Sequence, residues 1–207
     1  MNPGVFPGAC LAGYCFGCID MAWILAFARG KDIKAMGNGN PGASNALMTM
    51  GPRAGIVTGA WDIGKALLAG LFASAVLGAG PDACMAAAGA AVIGHVFPFW
   101  LDFRGGKGFA PFVGFMLRAD PLSALVLLAI GALAGLVSDR IVAMTFLCAV
   151  LEPAALALRL GPAYGLAALP LTALLLLRHR QNMKNIMDGT EPSIRKAFRG
   201  SAAPEDE

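Results

Sequence analysis

The chain has 207 residues, of which 57% are hydrophobic and only 14% charged, and its mean hydropathy is +0.65; soluble domains carry about a quarter charged residues. A membrane helix takes about 20 apolar residues, so seven would use about 140 and exclude a large soluble domain. The net charge of +3 fits loop cations of a polytopic protein rather than a nucleic-acid surface.

Few aromatics and abundant Gly, Ala and Leu suit close helix packing in lipid, so the expected fold is an all-α polytopic membrane protein rather than a β-barrel. Met1-Asn2-Pro3-Gly4 has no basic n-region and Arg29 follows the first apolar stretch. That segment is expected to stay as a helix, not to be cleaved as a signal peptide. The apolar runs predict spans at roughly 6–28, 54–79, 83–101, 109–117, 121–138, 141–159 and 161–177. The fourth is too short to cross alone and reads as broken or partly re-entrant. Residues 1–200 are expected to form one transmembrane domain, and 201–207, ending Pro204-Glu205-Asp206-Glu207, a solvated acidic tail.

Cys10, Cys15, Cys18, Cys84 and Cys148 all lie in apolar stretches, where a thiol acts as a small hydrophobe. Cys15 and Cys18 have redox spacing but no βαβ context. Ionisable residues inside spans, Asp20, Asp62, Lys65 and Glu152, are costly and should face the bundle interior. Asp62 and Lys65, three apart, should pair; Asp20 and Glu152 have no partner nameable from sequence.

With seven spans, Arg29, Lys31, Lys34, Arg53, Arg104, Lys107, Arg140, Arg178, Arg180, Lys184, Arg195, Lys196 and Arg199 share one side, Arg118 and Arg159 take the other, and Lys65 lies within a span. The positive-inside rule then gives an outside N-terminus and a cytoplasmic C-terminus. An even count would move Arg178 and everything after it outside, so charge favours an odd one. No internal repeat of transporter type is visible.

This topology gathers Gly37–Asn45, Arg104–Gly108 and Arg178–Asn185 on the cytoplasmic face. Each combines what an anion needs: glycine-freed N–H groups, amide side chains or cations. Gly37-Asn38-Gly39-Asn40-Pro41-Gly42 formally matches G-x-G-x-x-G, but a membrane span precedes it instead of a strand, so it is no dinucleotide fingerprint. It reads equally as a tight turn. Lys107, between Gly106 and Gly108, lacks the Walker A context; a cation on a glycine turn still suits a phosphate or carboxylate, or a positive-inside anchor. His179 and Asn182 are three apart and share a face of any helix running out of the last span. They could orient a phosphate or simply sit at the interface. His95 could cap carbonyls or touch the site.

Neither His95 nor His179 has an acid five residues on, no G-x-S-x-G elbow occurs, and no metal-ligand spacing appears. An enzyme of this sequence is expected to need no cofactor or metal and to work by positioning and charge stabilisation.

At these segments the chain resembles the bacterial membrane-bound acyl-phosphate:glycerol-3-phosphate acyltransferases of the PlsY type. The resemblance runs from Asp32-Ile33 through Gly37–Asn45, Asp62 to Lys65, Gly94-His95, Phe103–Gly108 and Arg178–Asn182 to Gly189-Thr190-Glu191, in family order over nearly the whole chain. It implies a multi-pass protein of the bacterial inner membrane whose cytoplasmic site makes lysophosphatidic acid from acyl phosphate and glycerol 3-phosphate, for phospholipid synthesis. It further implies catalytic roles for Lys107, His179 and Asn182. Phosphate and substrate contacts fall on Asn38, Gly39, Asn40, Gly42, Ser44, Asn45, Arg104, Gly105, Gly106 and Gly108. Three positions depart from the family: Asn38 stands where Ser is usual, Met48 where Arg is usual, and Pro111 where Thr is common. Met48 removes a charge-assisted phosphate contact that Arg53, five residues on, is expected to replace. The residues leave open a divergent member with another acceptor, or a silent lipid-binding protein.

Overall fold

A computed structural model describes residues 4–195. Every regular element among them is helical: α1 Val5–Cys18, α2 Met21–Phe27, α3 Ala43–Met50, α4 Pro52–Leu77, α5 Pro81–Val96, α6 Phe109–Ala119, α7 Pro121–Ser138, α8 Ile141–Leu160, α9 Pro162–Arg178 and α10 Arg180–Met187, with 3-10 turns at Ile33–Ala35 and Phe99–Leu101. The expected all-α membrane fold is what the chain adopts. It divides after Pro121 into two compact units. The acidic tail 201–207 lies outside the described residues.

In the first unit, the predicted first span is two helices, α1 and α2, separated at Ile19-Asp20. A break within an apolar segment leaves backbone carbonyls that must find partners elsewhere. Side chains from later in the chain do so. Trp100 Nε1 donates to Cys18 O at 2.8 Å, and Ile19 O accepts from Trp61 Nε1 at 3.1 Å and Lys65 Nζ at 3.3 Å. Asp20, only 2% exposed, caps the N-terminus of α2, its Oδ1 accepting from Trp23 N at 2.9 Å. That is the partner sequence could not name: a capping aspartate, enriched at such positions because it satisfies an orphan helix N–H.

Small residues let α1 lie directly on α5. A Cβ on Gly13 would stand 2.1 Å from Ala87 O, and one on Gly17 would stand 2.2 Å from Ala91 O. Two glycines four apart against alanine backbone is the small-xxx-small contact of membrane helices. Tyr14 OH, on the same helix, donates to Phe97 O at 2.8 Å and ties α1 to the end of α5.

Pro52 opens α4, where its missing N–H is harmless. At 26 residues this helix is about 39 Å long at 1.5 Å per residue, enough to cross a bilayer core at a tilt. The short fourth span is α6, with 11 residues and about 16 Å of length. It packs on α4 through Gly114, where a Cβ would meet Ile63 O at 2.1 Å. Among the described residues, five segments are long and apolar enough to cross a membrane: Val5–Phe27, Pro52–Leu77, Pro81–Leu101, Pro121–Ser138 and Ile141–Leu160; α6 and α9 are shorter apolar helices.

In the second unit α8 and α9 pair through Gly165, whose Cβ would meet Pro153 O at 2.5 Å, and through Thr172 Oγ1, which donates to Ala149 O at 2.8 Å. Cys148 is a buried free thiol on α8 whose Sγ donates to Leu127 O at 3.4 Å.

Candidate active site

The first glycine segment is folded around one buried amide. Asn45, 1% exposed, accepts from Asn38 N at 3.2 Å through Oδ1 and donates from Nδ2 to Met36 O at 3.0 Å and Ile33 O at 3.4 Å. Gly37 has φ of +55°, and a Cβ there would sit 2.2 Å from Asn45 Oδ1, so the turn needs glycine. Asn38 in turn accepts from Asn40 N at 3.0 Å, the local Asx geometry that makes asparagine a turn former. The residues from Ala43 to Met50, read from sequence as part loop, are α3. Gly42 is its N-cap, and no side chain caps it. Ser44 and Arg53 are exposed, and so is Met48.

The second segment hangs from the end of α5. Gly105 N donates to Val96 O and Gly106 N to His95 O, both at 3.1 Å. Two of the carbonyls that any helix leaves unpaired at its C-terminus are thereby satisfied. This corrects one expectation: the Gly105 and Gly106 N–H groups are engaged with α5 and are not turned toward a ligand. What these glycines give is close approach. A Cβ on Gly105 would lie 2.0 Å from His95 O; one on Gly106 would lie 2.1 Å from His95 Nε2 and 2.9 Å from Pro41 O. The Gly106 contact with Pro41 brings the two predicted loops together. Lys107 is half-buried beside it, Arg104 is exposed, and Gly108, at φ of +94°, is the N-cap of α6, again without a side-chain cap.

Behind this loop pair lies a buried ionic cluster. Lys65, fully buried, and Asp62, 2% exposed, form the expected ion pair at 2.9 Å. His95 joins them: its Nδ1 is 2.7 Å from Lys65 Nζ and 3.5 Å from Asp62 Oδ1. An ammonium only donates, so Nδ1 is the acceptor and the ring's proton is on Nε2. Removing one partner from such a pair costs about 3–5 kcal/mol, because the other charge stays buried. Sequence located Asp62 and Lys65 but left His95 undecided. The signal available was a lysine inside one span and a histidine closing the next.

The second unit carries the third segment. Its helix does not run on through residue 179: α9 stops at Arg178, His179 takes φ −99° and ψ 10°, and α10 begins at Arg180. His179 is 5% exposed. Its Nδ1 lies 2.9 Å from Leu175 O, and a carbonyl only accepts, so this nitrogen bears the proton and Nε2 the lone pair of the neutral ring. Phe146 packs edge-on against the imidazole, centroids 6.2 Å apart. Asn182 Nδ2 donates to Glu191 Oε1 at 2.8 Å. The buried Glu191 is tethered through its carbonyl oxygen by the Arg140 guanidinium. Asp139 closes the strap, accepting from the Ser193 hydroxyl and from Arg195 N at 2.9 Å. Those bonds, the serine's above all, hold its carboxyl below the ordinary aspartate range.

Fold and loops together define an all-helical integral membrane protein with glycine-built turns at its helix ends and a buried ionic cluster behind two of them. The sequence pattern of the glycerol-3-phosphate acyltransferase family matches residues 8–189. The chain is 39% identical over 186 residues to a glycerol-3-phosphate acyltransferase of Symbiobacterium thermophilum, covering 87% of this chain and 90% of that one. It is 37% identical over 187 residues to the one of Cereibacter sphaeroides, covering 89% and 87%. The fold matches crystal structures of PlsY, an integral membrane glycerol 3-phosphate acyltransferase. Its lysophosphatidic acid form gives a TM-score of 0.81 at 25% identity, covering 91% of this chain and 94% of that one. Its glycerol 3-phosphate form gives 0.83 at 24%, covering 91% and 95%. The chain belongs to the glycerol-3-phosphate acyltransferase family and is an acyltransferase.

Proposed function

We propose that the chain moves a long-chain acyl group from acyl phosphate to the 1-hydroxyl of glycerol 3-phosphate. One observation carries the placement of the chemistry. Two helices, α3 and α6, begin at glycines with no capping side chain, Gly42 and Gly108, and the loops that lead into them touch where Gly106 meets Pro41. Helix N-termini carry unsatisfied N–H groups and a partial positive charge, and anions bind there. With Lys107 beside Gly108 this is a seat for phosphate, and an acyl phosphate and glycerol 3-phosphate bring one phosphate each.

The reaction asks little else of the protein. The hydroxyl oxygen attacks the acyl carbonyl carbon, the carbon–oxygen bond to phosphate breaks, and the hydroxyl proton leaves with the departing phosphate. No covalent acyl-enzyme is required, because a mixed anhydride already has a good leaving group. Lys107 and the α6 N-terminus stabilise the charge that grows on it. In the second unit we assign His179 and Asn182 to the reaction. Asn182 is held by Glu191, and His179 is fixed by the contact of its Nδ1 with Leu175 O.

The seven-span reading, with α6 and α9 as the short members, puts the N-terminus outside and the loops in the cytoplasm of a bacterial inner membrane. Purified protein given palmitoyl phosphate should release phosphate only when glycerol 3-phosphate is added, with lysophosphatidic acid as the lipid product. Release that ignores the acceptor would overturn the reading and direct attention to Asn38 and Met48.

A further inference from the structure

We propose that Asp62, Lys65 and His95 are positioning residues, a buried relay that fixes the distance between the two glycine loops. The proposal rests on reading those loops as the phosphate seat. Lys65 Nζ is paired with Asp62 Oδ1 at 2.9 Å and hydrogen-bonded to His95 Nδ1 at 2.7 Å and Ile19 O at 3.3 Å. A fully buried ammonium held by an ion pair and two hydrogen bonds cannot turn without losing one of them. It therefore holds the imidazole in a single tautomer and a single tilt, with Nε2 the ring atom nearest to where a Cβ of residue 106 would be. The edge of that ring stands where a Cβ of residue 106 would be, and the Pro41 carbonyl borders the same point. His95 also holds Gly106 through its main chain, its carbonyl accepting from Gly106 N.

The same residue thus grips the second loop by backbone and braces it by side chain, one position before Lys107. A structural salt bridge alone would need no histidine, and a packing histidine would need no ammonium. The order Asp62, Lys65, His95, Gly106 runs from the interior of α4 to the loop, and its outcome is where Lys107 meets phosphate.

The test treats the ion pair as one unit, so that no lone charge is left buried. Asp62→Asn/Lys65→Met, His95→Asn and the triple variant are compared with the parent in detergent by melting temperature and by kinetics with palmitoyl phosphate and glycerol 3-phosphate. Both parts of the relay act through one contact. Each should lower kcat/KM by about 10- to 100-fold at unchanged yield, the range for a misplacement of about 1 Å, and the triple variant should be no worse than the worse of the two. Multiplying losses, or full activity in the folded paired variant, would overturn the proposal.

A second readout is independent of turnover. The chain has two histidines, so ¹⁵N-histidine spectra of the parent and of His179→Ala identify His95. Its Nδ1 should be unprotonated in the parent and lose that fixed form in Asp62→Asn/Lys65→Met. A protonated Nδ1 in the parent would refute the relay whatever the activity. An inactive parent with the Nε2–H form intact would instead count against the proposed reaction.

Discussion

Gly106→Ala is the sharpest test of the loop pair. The added Cβ would stand 2.1 Å from His95 Nε2, and ordinary contact begins at 3.4 Å, so loop and ring must separate by about 1.3 Å. The ring cannot easily retreat, because Lys65 holds Nδ1 at 2.7 Å. The other neighbour, Pro41 O, is backbone at 2.9 Å. Most of the shift therefore falls on the loop and carries Lys107 with it. A misplacement of about 1 Å in a positioned group costs about 100-fold in rate, or about 2.7 kcal/mol at 1.36 kcal/mol per decade. Overpacking should take a further ~1–3 kcal/mol from stability. Phosphate release from palmitoyl phosphate with saturating glycerol 3-phosphate, beside a melting curve, measures both. Gly64→Ala is the control: it lies within α4 and a Cβ there meets nothing within 4 Å, so alanine should be neutral or slightly stabilising. Gly106→Ala with parental kcat/KM would refute the reasoning.

Lys107→Ala should lose at least 100-fold in turnover, the scale of a removed charge-stabilising donor, while the melting temperature barely moves; loss of insertion with normal specific activity would make it an anchor instead. Arg53→Ala should raise the KM for glycerol 3-phosphate and leave that for the acyl donor alone, and an unchanged acceptor KM removes Arg53 from the site. Gly17→Leu, forced against the Ala91 backbone, should separate α1 from α5 and lower thermal stability, whereas an unshifted melting curve would disprove the close helix contact. Asp139 has a folded-state pKa lowered from 3.8 by Ser193 and Arg195. Its contribution to docking residues 190–195 is full above the unfolded value and is lost as pH falls through the folded one. The hydrogen-exchange protection factors of those amides should hold down to about pH 4 and fall below it, and the same fall near neutrality would point to another group.

The parts of this protein readable from sequence are those set by composition and short-range spacing. Apolar runs located α4, α5, α7, α8 and α9 within a few residues, since an unbroken apolar helix needs nothing but its own hydrogen bonds in lipid. The Asp62–Lys65 pair followed from i, i+3 geometry. The break at Ile19-Asp20 did not, because its carbonyls are satisfied by Trp61, Lys65 and Trp100, more than forty residues away. Asn45 looked like a donor for a ligand but is occupied by the Asn38, Ile33 and Met36 backbone. An amide's direction depends on a turn whose shape sequence does not print. At Gly105 and Gly106 the N–H groups are spent on α5, and what matters more is the missing side chain.

The interrupted first span makes the shape of an early segment depend on side chains that follow much later in the chain. A nascent protein that has emerged only through residue 50 has α1 and α2 but none of the indole or ammonium groups that later receive the Cys18 and Ile19 carbonyls. In hydrocarbon, the state that leaves fewest such groups bare is one continuous helix over Val5–Phe27, whose 23 residues reach about 34 Å. The bend gains the partners of its carbonyls only with α4 and the Phe99–Leu101 turn in place. The bend between α1 and α2 is thus completed from later in the chain, and the ammonium that helps complete it is the one that steadies His95.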